Sequence, residues 1–234
     1  PAFGVVGTPP RVTDERYVLD IRTDPDVITV VHDSPRGLHR GTAHARRLAA
    51  EGPLAAGTID EHPRFAVRGI IEGFYGRPWT HEQRLDMVRF LGAHRMNTFV
   101  YSPKDDVFTR RRWREDLPPA EREALAELVG VAGDVSVDVA YGLSPGLSIR
   151  YSDPAEVDRV LARFTQVVGL GVHALWLLLD DIPTTLQHPA DREVFADLTS
   201  AHVHLVGEVR RRLDEIDPRL RLTVCPTTYH GRGD

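Results

Sequence analysis

Two adjacent acids, Asp180 and Asp181, stand directly behind the apolar run Leu175-Trp176-Leu177-Leu178-Leu179 and just ahead of Ile182-Pro183. Neighbouring carboxylates can acquire different proton affinities, one kept ionised and the other protonated. Such a pair suits glycoside hydrolysis, in which one acid protonates the departing oxygen. Direct neighbours on an unbroken strand point to opposite faces, so this chemistry requires the strand to break at or before them. Pro183 gives the backbone a reason to leave the sheet there. The plainer alternative is that one aspartate starts a turn while the other is solvated.

Two further stretches carry candidate chemistry. Lys104-Asp105-Asp106 follows Tyr101-Ser102-Pro103 and reads either as an exposed turn or as a functional loop. Gly73 and Gly76 bracket Phe74 and Tyr75. That segment is either a tight turn over an apolar plug or a floor where backbone and aromatic rings approach a sugar. The eleven histidines are scattered, His-Glu-x-x-His is absent, and His202 and His204 diverge on a helix, so no metal or cofactor is expected. No Gly-x-Ser-x-Gly elbow occurs, and Cys225, the single cysteine, reads as a core thiol inside a strand pattern.

The elements that must position these residues are legible from periodicity. The apolar run before Asp180 has the look of a strand buried on both faces, as in parallel sheets covered by helices. Upstream, residues 17–22 and 27–32 read as short strands around an Asp/Pro turn, residues 36–51 as a helix, and residues 58–65 as a linker. A boundary near residue 66 therefore separates the tail of a small α/β domain (1–66) from a larger region (67–234). From Val67 the pattern becomes strand, loop, helix, repeated. Strands are expected at 69–76, 98–101, 135–142, 175–179 and 220–224. Helices come after the first four: one opened by a Thr80/Gln83 capping box, one marked by Leu125, Leu128, Val129 and Ala132, one capped by Asp153 with Pro154 and with Glu156 completing the box, and a long one carrying Val194, Leu198, Leu205, Val209, Leu213 and Ile216 as its stripe. Alternating strands and helices argue for a parallel sheet. Gly73-Phe74-Tyr75-Gly76 does not fit the glycine-rich phosphate turn of a doubly wound sheet. Polar or glycine-bearing segments behind all five strands favour the shared catalytic face of a (β/α)8 TIM barrel, here about its first five strands.

Composition sets outer limits. The chain has 234 residues and a formal net charge of -5, which gives no electrostatic reason to expect nucleic acid. Arg110-Arg111-Arg112 and Arg210-Arg211-Arg212 read as solvated faces. No apolar run approaches the roughly 20 residues of a membrane span, so a soluble chain is expected. The chain opens on Pro1, and its natural beginning is expected to lie upstream, which leaves localisation open. Oligomeric state is silent.

Taken together and in order, the segments 68–80 (Arg68-Gly69-Ile70-Ile71-Glu72-Gly73-Phe74-Tyr75-Gly76-Arg77-Pro78-Trp79-Thr80), 101–106, Gly142-Leu143-Ser144-Pro145-Gly146, Asp180-Asp181-Ile182 and Pro226-Thr227-Thr228-Tyr229 resemble glycoside hydrolase family 84. That family holds β-N-acetylglucosaminidases, among them protein O-GlcNAcases and bacterial enzymes once called hyaluronidases. The resemblance implies a retaining reaction on an N-acetylglucosamine-containing glycan or glycoprotein, with the sugar's own acetamide oxygen as nucleophile and an oxazoline intermediate. It matches Asp180 to the residue that orients the acetamide N–H and Asp181 to the general acid and base. Tyr229 matches a tyrosine of the acetamide pocket, Gly73 a backbone carbonyl contact, Lys104 a donor to a ring hydroxyl, and Tyr75 a part of the pocket. An ionised Asp180 is expected to raise the proton affinity of Asp181.

Two departures from the family pattern stand out. Leu179 replaces an aromatic residue common before the aspartate pair, so the acetamide pocket wall is expected to differ. The loops that bind the sugar's 4- and 6-hydroxyls are expected beyond Asp234, and a five-stranded piece of a barrel is expected to be poorly stable and weakly active alone. Families 20 and 18 carry other acid motifs, an Asp-Glu pair and Asp-x-x-Asp-x-Asp-x-Glu, whereas the fourth strand here ends in Asp180-Asp181. A non-catalytic sugar-binding barrel is the remaining rival.

Overall fold

The structure, a computed structural model, describes residues 4–6, 12–24 and 26–229. A short strand, β1 (Gly4–Val6), comes first, and after it β2 (Tyr17–Thr23), β3 (Asp26–His32), α1 (Pro35–Glu51) and β4 (Gly57–Glu61). The last three strands form an antiparallel sheet in the order β3-β2-β4. Tyr17, Leu19 and Ile21 alternate inward along β2 and α1 packs on that sheet. Residues 58–65, expected as a linker, thus contain an edge strand. Ile59 is opposite Leu19, and the flanking Asp60 and Glu61 pair with Arg16 and Arg95. Its polar face hid it, because an edge strand needs only one apolar residue per pair to hold register.

The larger sheet is built from β5 (Gly69–Glu72), β6 (Thr98–Tyr101), β7 (Asp138–Leu143), β8 (Ala174–Leu178) and β9 (Arg221–Cys225), parallel and in chain order. Between them run α2 (His81–Ala93), α3 (Pro119–Asp134), α4 (Pro154–Val168), α5 (Pro189–Val194) and α6 (Leu198–Ile216). β1 lies antiparallel on β9, and the sheet does not close among the described residues. Phe99, Val139, Tyr141, Leu175, Leu177 and Leu222 point to one side, into the large core shared with the helices. Val100, Ala140 and Ala174 point to the other side, where they pack with Trp176. Sequential strand order with all helices on one face is the pattern of consecutive barrel repeats; a doubly wound sheet reverses its order and covers both faces.

Local signals explain most boundaries. The Thr80/Gln83 capping box opens α2, and Asp153 accepts from Ala155 N at the start of α4. Glu156 does not complete a box there. Its carboxylate, buried, is taken by the Arg114 guanidinium at 2.9 Å, a charge-assisted pair that outcompetes a backbone N–H. The strand expected at 135–142 begins only at Asp138, because Val135 and Ser136 close the turn out of α3, with Ser136 at φ 58. The first strand likewise stops at Glu72 rather than Gly76. The expected long helix is two: Phe195 is extended, Asp197 caps α6 by accepting from Ser200 N, and Val194 and Ile216 are exposed rather than part of the stripe.

At the N-terminal ends of the strands the small sheet is locked to the large one. Arg40 of α1 is buried and donates to the carbonyls of Gly92 and Met96, both at 2.7 Å, and to Glu15 at 3.2 Å. Glu15 also accepts from Arg68 at 2.7 Å and from Asn97 at 2.6 Å. Alongside, Asp138 is held between Arg36 of α1 and Arg221 of β9. Breaking a buried pair from one side leaves the other charge uncompensated, at a cost of about 3 kcal/mol or more. Arg40→Ala is therefore expected to lower the urea midpoint by that amount of stability, and Arg47→Ala, on the exposed face of α1, to leave it within about 0.5 kcal/mol. Equal midpoints for the two variants would show that the lock contributes nothing.

Candidate active site

The site lies at the opposite, C-terminal ends of the strands, and its form depends on how β8 stops. Leu179 is still tied to the end of β9 and the loop behind it, donating its N–H to Cys225 O at 2.8 Å and accepting from the Thr227 hydroxyl at 2.7 Å. The chain then turns sharply, with Asp181 in the left-handed region at φ 53. That conformation costs an L side chain about 1–2 kcal/mol, with Asp among the residues that tolerate it best. Its effect is to cancel the strand alternation that would have sent Asp180 and Asp181 apart.

Both carboxylates meet on one ammonium. Lys104 Nζ lies 2.6 Å from Asp180 Oδ2 and 3.3 Å from Asp181 Oδ2. Lys104 and Asp180 are largely buried, while the Asp181 side chain keeps 38% of its surface open to solvent. The second oxygen of Asp180, Oδ1, is buried with no hydrogen-bond partner among the described residues. A buried carboxylate oxygen left without a donor is costly and marks a place where a ligand donor would be accepted.

The loops behind β5 and β6 hold Lys104 and Tyr75 in place. Glu72 ends β5 fully buried; it takes the Arg84 guanidinium of α2 at 2.7 and 2.9 Å and the N–H of Trp79 at 2.9 Å. That pins both ends of the segment holding Gly73, Phe74, Tyr75 and Gly76. Gly76 sits at φ 97, where a side chain would be strained, and its N–H donates to Asp105 at 2.7 Å. Lys104 N donates to Phe74 O at 3.2 Å, stitching the two loops together. Asp106 starts a turn by accepting from Phe108 N at 2.7 Å and Thr109 N at 3.3 Å, so the turn reading of these acids was half the answer. Gly142 lets the β6 loop lie close, because a Cβ there would sit 2.6 Å from that of Ser102.

Of the residues singled out from sequence, Tyr75, Lys104, Asp180 and Asp181 converge: the Tyr75 hydroxyl donates to Asp181 Oδ2 at 2.9 Å. Gly73 and the exposed Tyr229 stand on the loops leaving β5 and β9, at the same end of the sheet. Leu179 is fully buried in the helix-side core rather than forming a pocket wall. Arg110 contradicts its expected solvated face. It is 8% exposed and donates to the Tyr75 hydroxyl at 2.8 Å and to the Asp181 carbonyl at 2.9 Å. Its neighbour Arg112 is exposed and paired with Glu115, as is Arg211 with Glu208 and Glu215, whereas the Arg210 side chain is mostly buried and also reaches Leu220 O. A basic triplet gives no hint of which member turns inward. Only contacts made by a distant loop decide it.

The electrostatics also correct one expectation. Burial pushes the Asp181 carboxyl up, but the Tyr75 hydroxyl, the Lys104 ammonium and Arg110 outweigh it and hold the group below the usual aspartate value. The net shift is therefore down rather than the expected rise, because three donors face this carboxylate, with Lys104 Nζ 3.3 Å from its Oδ2. Burial, helped by Asp180, raises the Cys225 thiol to about 11, so it stays protonated as a core thiol. Among the described residues no three of His, Cys, Asp and Glu gather as a cation site, and no helix is long and apolar enough to cross a membrane.

Comparisons with known proteins bear on this arrangement. A family model described as beta-N-acetylglucosaminidase matches residues 68–234. The chain is 39% identical over 183 residues to the protein O-GlcNAcase of Rattus norvegicus, covering 78% of this chain and 19% of that protein. It is 39% identical over 163 residues to the protein O-GlcNAcase of Mus musculus, covering 70% of this chain and 17% of that protein. A solved structure of a Thermobaculum terrenum O-GlcNAc hydrolase, mutated from Asp to Asn at one position, superposes with a TM-score of 0.65 at 35% identity, covering 67% of this chain and 34% of that one. The chain thus spans about a fifth of the length of the curated relatives it matches.

The Glu72 clamp generates a test of the loop architecture. Glu72→Ala leaves Arg84 without its buried partner and is expected to destabilise the fold by about 3 kcal/mol. Urea unfolding followed by tryptophan fluorescence reads this directly; an unshifted midpoint would mean the β5 loop is held by other contacts.

Proposed function

Because the chain belongs to glycoside hydrolase family 84, the β-N-acetylglucosaminidases, we propose that it forms the acid-bearing half of a site that removes terminal β-linked N-acetylglucosamine from a glycan or glycoprotein. The observation that carries this reading is the asymmetry of the two aspartates. Lys104 gathers both, yet Asp180 Oδ1 is buried without a partner among the described residues while Asp181 remains open to solvent. One acid is thus poised to accept a hydrogen bond and the other to exchange a proton.

In the proposed reaction, Asp180 Oδ1 accepts the acetamide N–H of the sugar and turns the acetamide carbonyl oxygen toward the anomeric carbon. That oxygen forms the new bond as the glycosidic C–O bond breaks, and Asp181 gives its proton to the departing oxygen. The product is an oxazolinium whose N–H proton Asp180 holds. Asp181, now a carboxylate, removes a proton from water as the water attacks the anomeric carbon, which regenerates the acetamide with retained configuration. Gly73, Tyr75, Lys104 and Tyr229 are assigned to the sugar: the Gly73 carbonyl and the Lys104 ammonium to ring hydroxyls, and Tyr229 and the ring of Tyr75 to the acetamide pocket, the Tyr75 hydroxyl being committed to Asp181.

In the empty site the Asp181 carboxyl is held low, the wrong state for an acid. Sugar binding reverses this. A ring hydroxyl engages Lys104, which then screens the aspartates less, and the sugar excludes water from Asp181; both changes favour the protonated form.

Two measurements on the full-length protein test the reading. An aryl N-acetylglucosaminide is expected to be cleaved while the matching 2-hydroxy glucoside is not, because only the first carries the internal nucleophile. Similar rates on both would remove acetamide assistance, and cleavage of neither would favour a sugar-binding barrel. Asp181→Asn is expected to slow substrates with poor leaving groups by about 100-fold or more and activated ones much less. Asp180→Asn should slow both classes; activated substrates left untouched by it would overturn the division of roles.

A further inference from the structure

The proposed reaction leaves Arg110 unused, although a cation buried to 8% exposure at the catalytic end of a barrel needs a reason. Resting on the proposed role of Asp181, we propose that Arg110 is a positioning residue for that acid, gripping its backbone directly and its carboxylate through Tyr75, and so deciding which carboxyl oxygen carries the catalytic proton.

The geometry is a closed ring of hydrogen bonds. One guanidinium nitrogen, Nη1, donates to the Tyr75 hydroxyl at 2.8 Å, and the other, Nη2, to the Asp181 carbonyl at 2.9 Å. The Tyr75 hydroxyl in turn donates to Asp181 Oδ2 at 2.9 Å. The guanidinium has only donors, so in this bond the phenol oxygen must accept, and its single proton is left for Asp181. Arg110 therefore fixes the direction of the Tyr75 O–H. Lys104 faces the same Oδ2 at 3.3 Å. With two donors committed to Oδ2, a proton taken up by Asp181 goes to Oδ1, the oxygen that neither donor covers. The grip on the carbonyl acts at the left-handed turn, φ 53, that brings Asp181 beside Asp180. Arg fits this task because its planar fork reaches two acceptors at once; a lysine cannot.

The charged and titratable groups around Asp181 are Tyr75 from the β5 loop, Lys104 and Arg110 from the β6 loop, Asp180 beside it, and Cys225 at the end of β9. General acid catalysis fails as pH rises through the value at which the acid loses its proton, so this group governs the alkaline limb of kcat/KM. Removing a neighbouring cation raises its proton affinity and moves that limb to higher pH.

The test compares Arg110→Lys, Arg110→Gln, Tyr75→Phe and the Arg110→Lys/Tyr75→Phe double variant in the full-length protein. The probes are phenyl and dinitrophenyl N-acetylglucosaminides. Arg110→Lys and Tyr75→Phe are each expected to lower kcat on the phenyl substrate by about tenfold or more and on the dinitrophenyl substrate by less than about threefold, because only a poor leaving group depends on a well-placed proton. The double variant should be no worse than the weaker single by more than about twofold, since both act along one path. Arg110→Gln should shift the alkaline limb upward, whereas Arg110→Lys, which keeps the charge, should leave it in place. Equal losses on both substrates with an unmoved limb in Arg110→Gln would make Arg110 structural only and overturn the inference, while leaving the proposed hydrolysis intact. Failure of the unaltered protein on both N-acetylglucosaminides would instead bring down the hydrolytic reading. Should the Arg110 variants not fold, Tyr75→Phe decides alone: the ring keeps its place in the pocket and only the hydroxyl that donates to Asp181 is lost, so a loss independent of leaving group would count against the path.

Discussion

The functional end of this fold depends on one ammonium group. Lys104 stands between two carboxylates that backbone alternation alone would separate, and its charge is what makes their proximity tolerable. Without a cation there, two ionised acids this close would repel, and one would have to take up a proton or turn away. The lysine is anchored by its own backbone, whose N–H donates to the Phe74 carbonyl, and its loop is tied to that segment again through Asp105 and Gly76. Displacement of the β5 loop would therefore reach both acids.

The two ends of the sheet use charge in opposite ways. At the N-terminal ends, Arg40, Glu15, Arg68 and Asn97 satisfy one another and the carbonyls of Gly92, Met96 and Ser136, leaving little capacity for a ligand. Such saturation is what a structural network requires. At the C-terminal ends the same kinds of groups are left incompletely paired, with Asp180 Oδ1 unpartnered among the described residues. The difference in satisfaction, rather than in composition, separates the end that joins the small sheet from the end that carries the paired aspartates.

The resting electrostatics follow from the same arrangement. Lys104, Arg110 and Tyr75 together hold Asp181 in the form that accepts rather than gives a proton. In the proposed reaction this resting state is reversed by the ligand, since a sugar hydroxyl would compete for the lysine and displace water. A strained left-handed residue at this turn fits the same pattern, because strain at a functional site persists when surrounding contacts over-determine it. Here those contacts are the Leu179 bonds to Cys225 and Thr227 on one side and the Arg110 bond to the Asp181 carbonyl on the other.

Much of this could be read from residue order. Short apolar runs and period-3.6 patterns located the five parallel strands and the helices between them, and the motifs behind those strands picked out Tyr75, Lys104, Asp180 and Asp181, because local propensity and burial pattern are properties of short stretches. Errors gathered where short stretches are ambiguous: an edge strand with a single apolar residue in β4, a helix broken at Phe195 by a cap at Asp197, and a strand start delayed to Asp138 by a turn. What sequence alone determined, then, was which elements form and which side chains lie at their ends. Tertiary structure alone decided that the two aspartates face the same ammonium, that Arg110 rather than Arg111 or Arg112 turns inward, and that Asp181 is held ionised in the empty site. Each of these depends on groups from loops far apart in the chain meeting at one point, and a hydrogen bond between distant residues leaves no periodic trace in either of them.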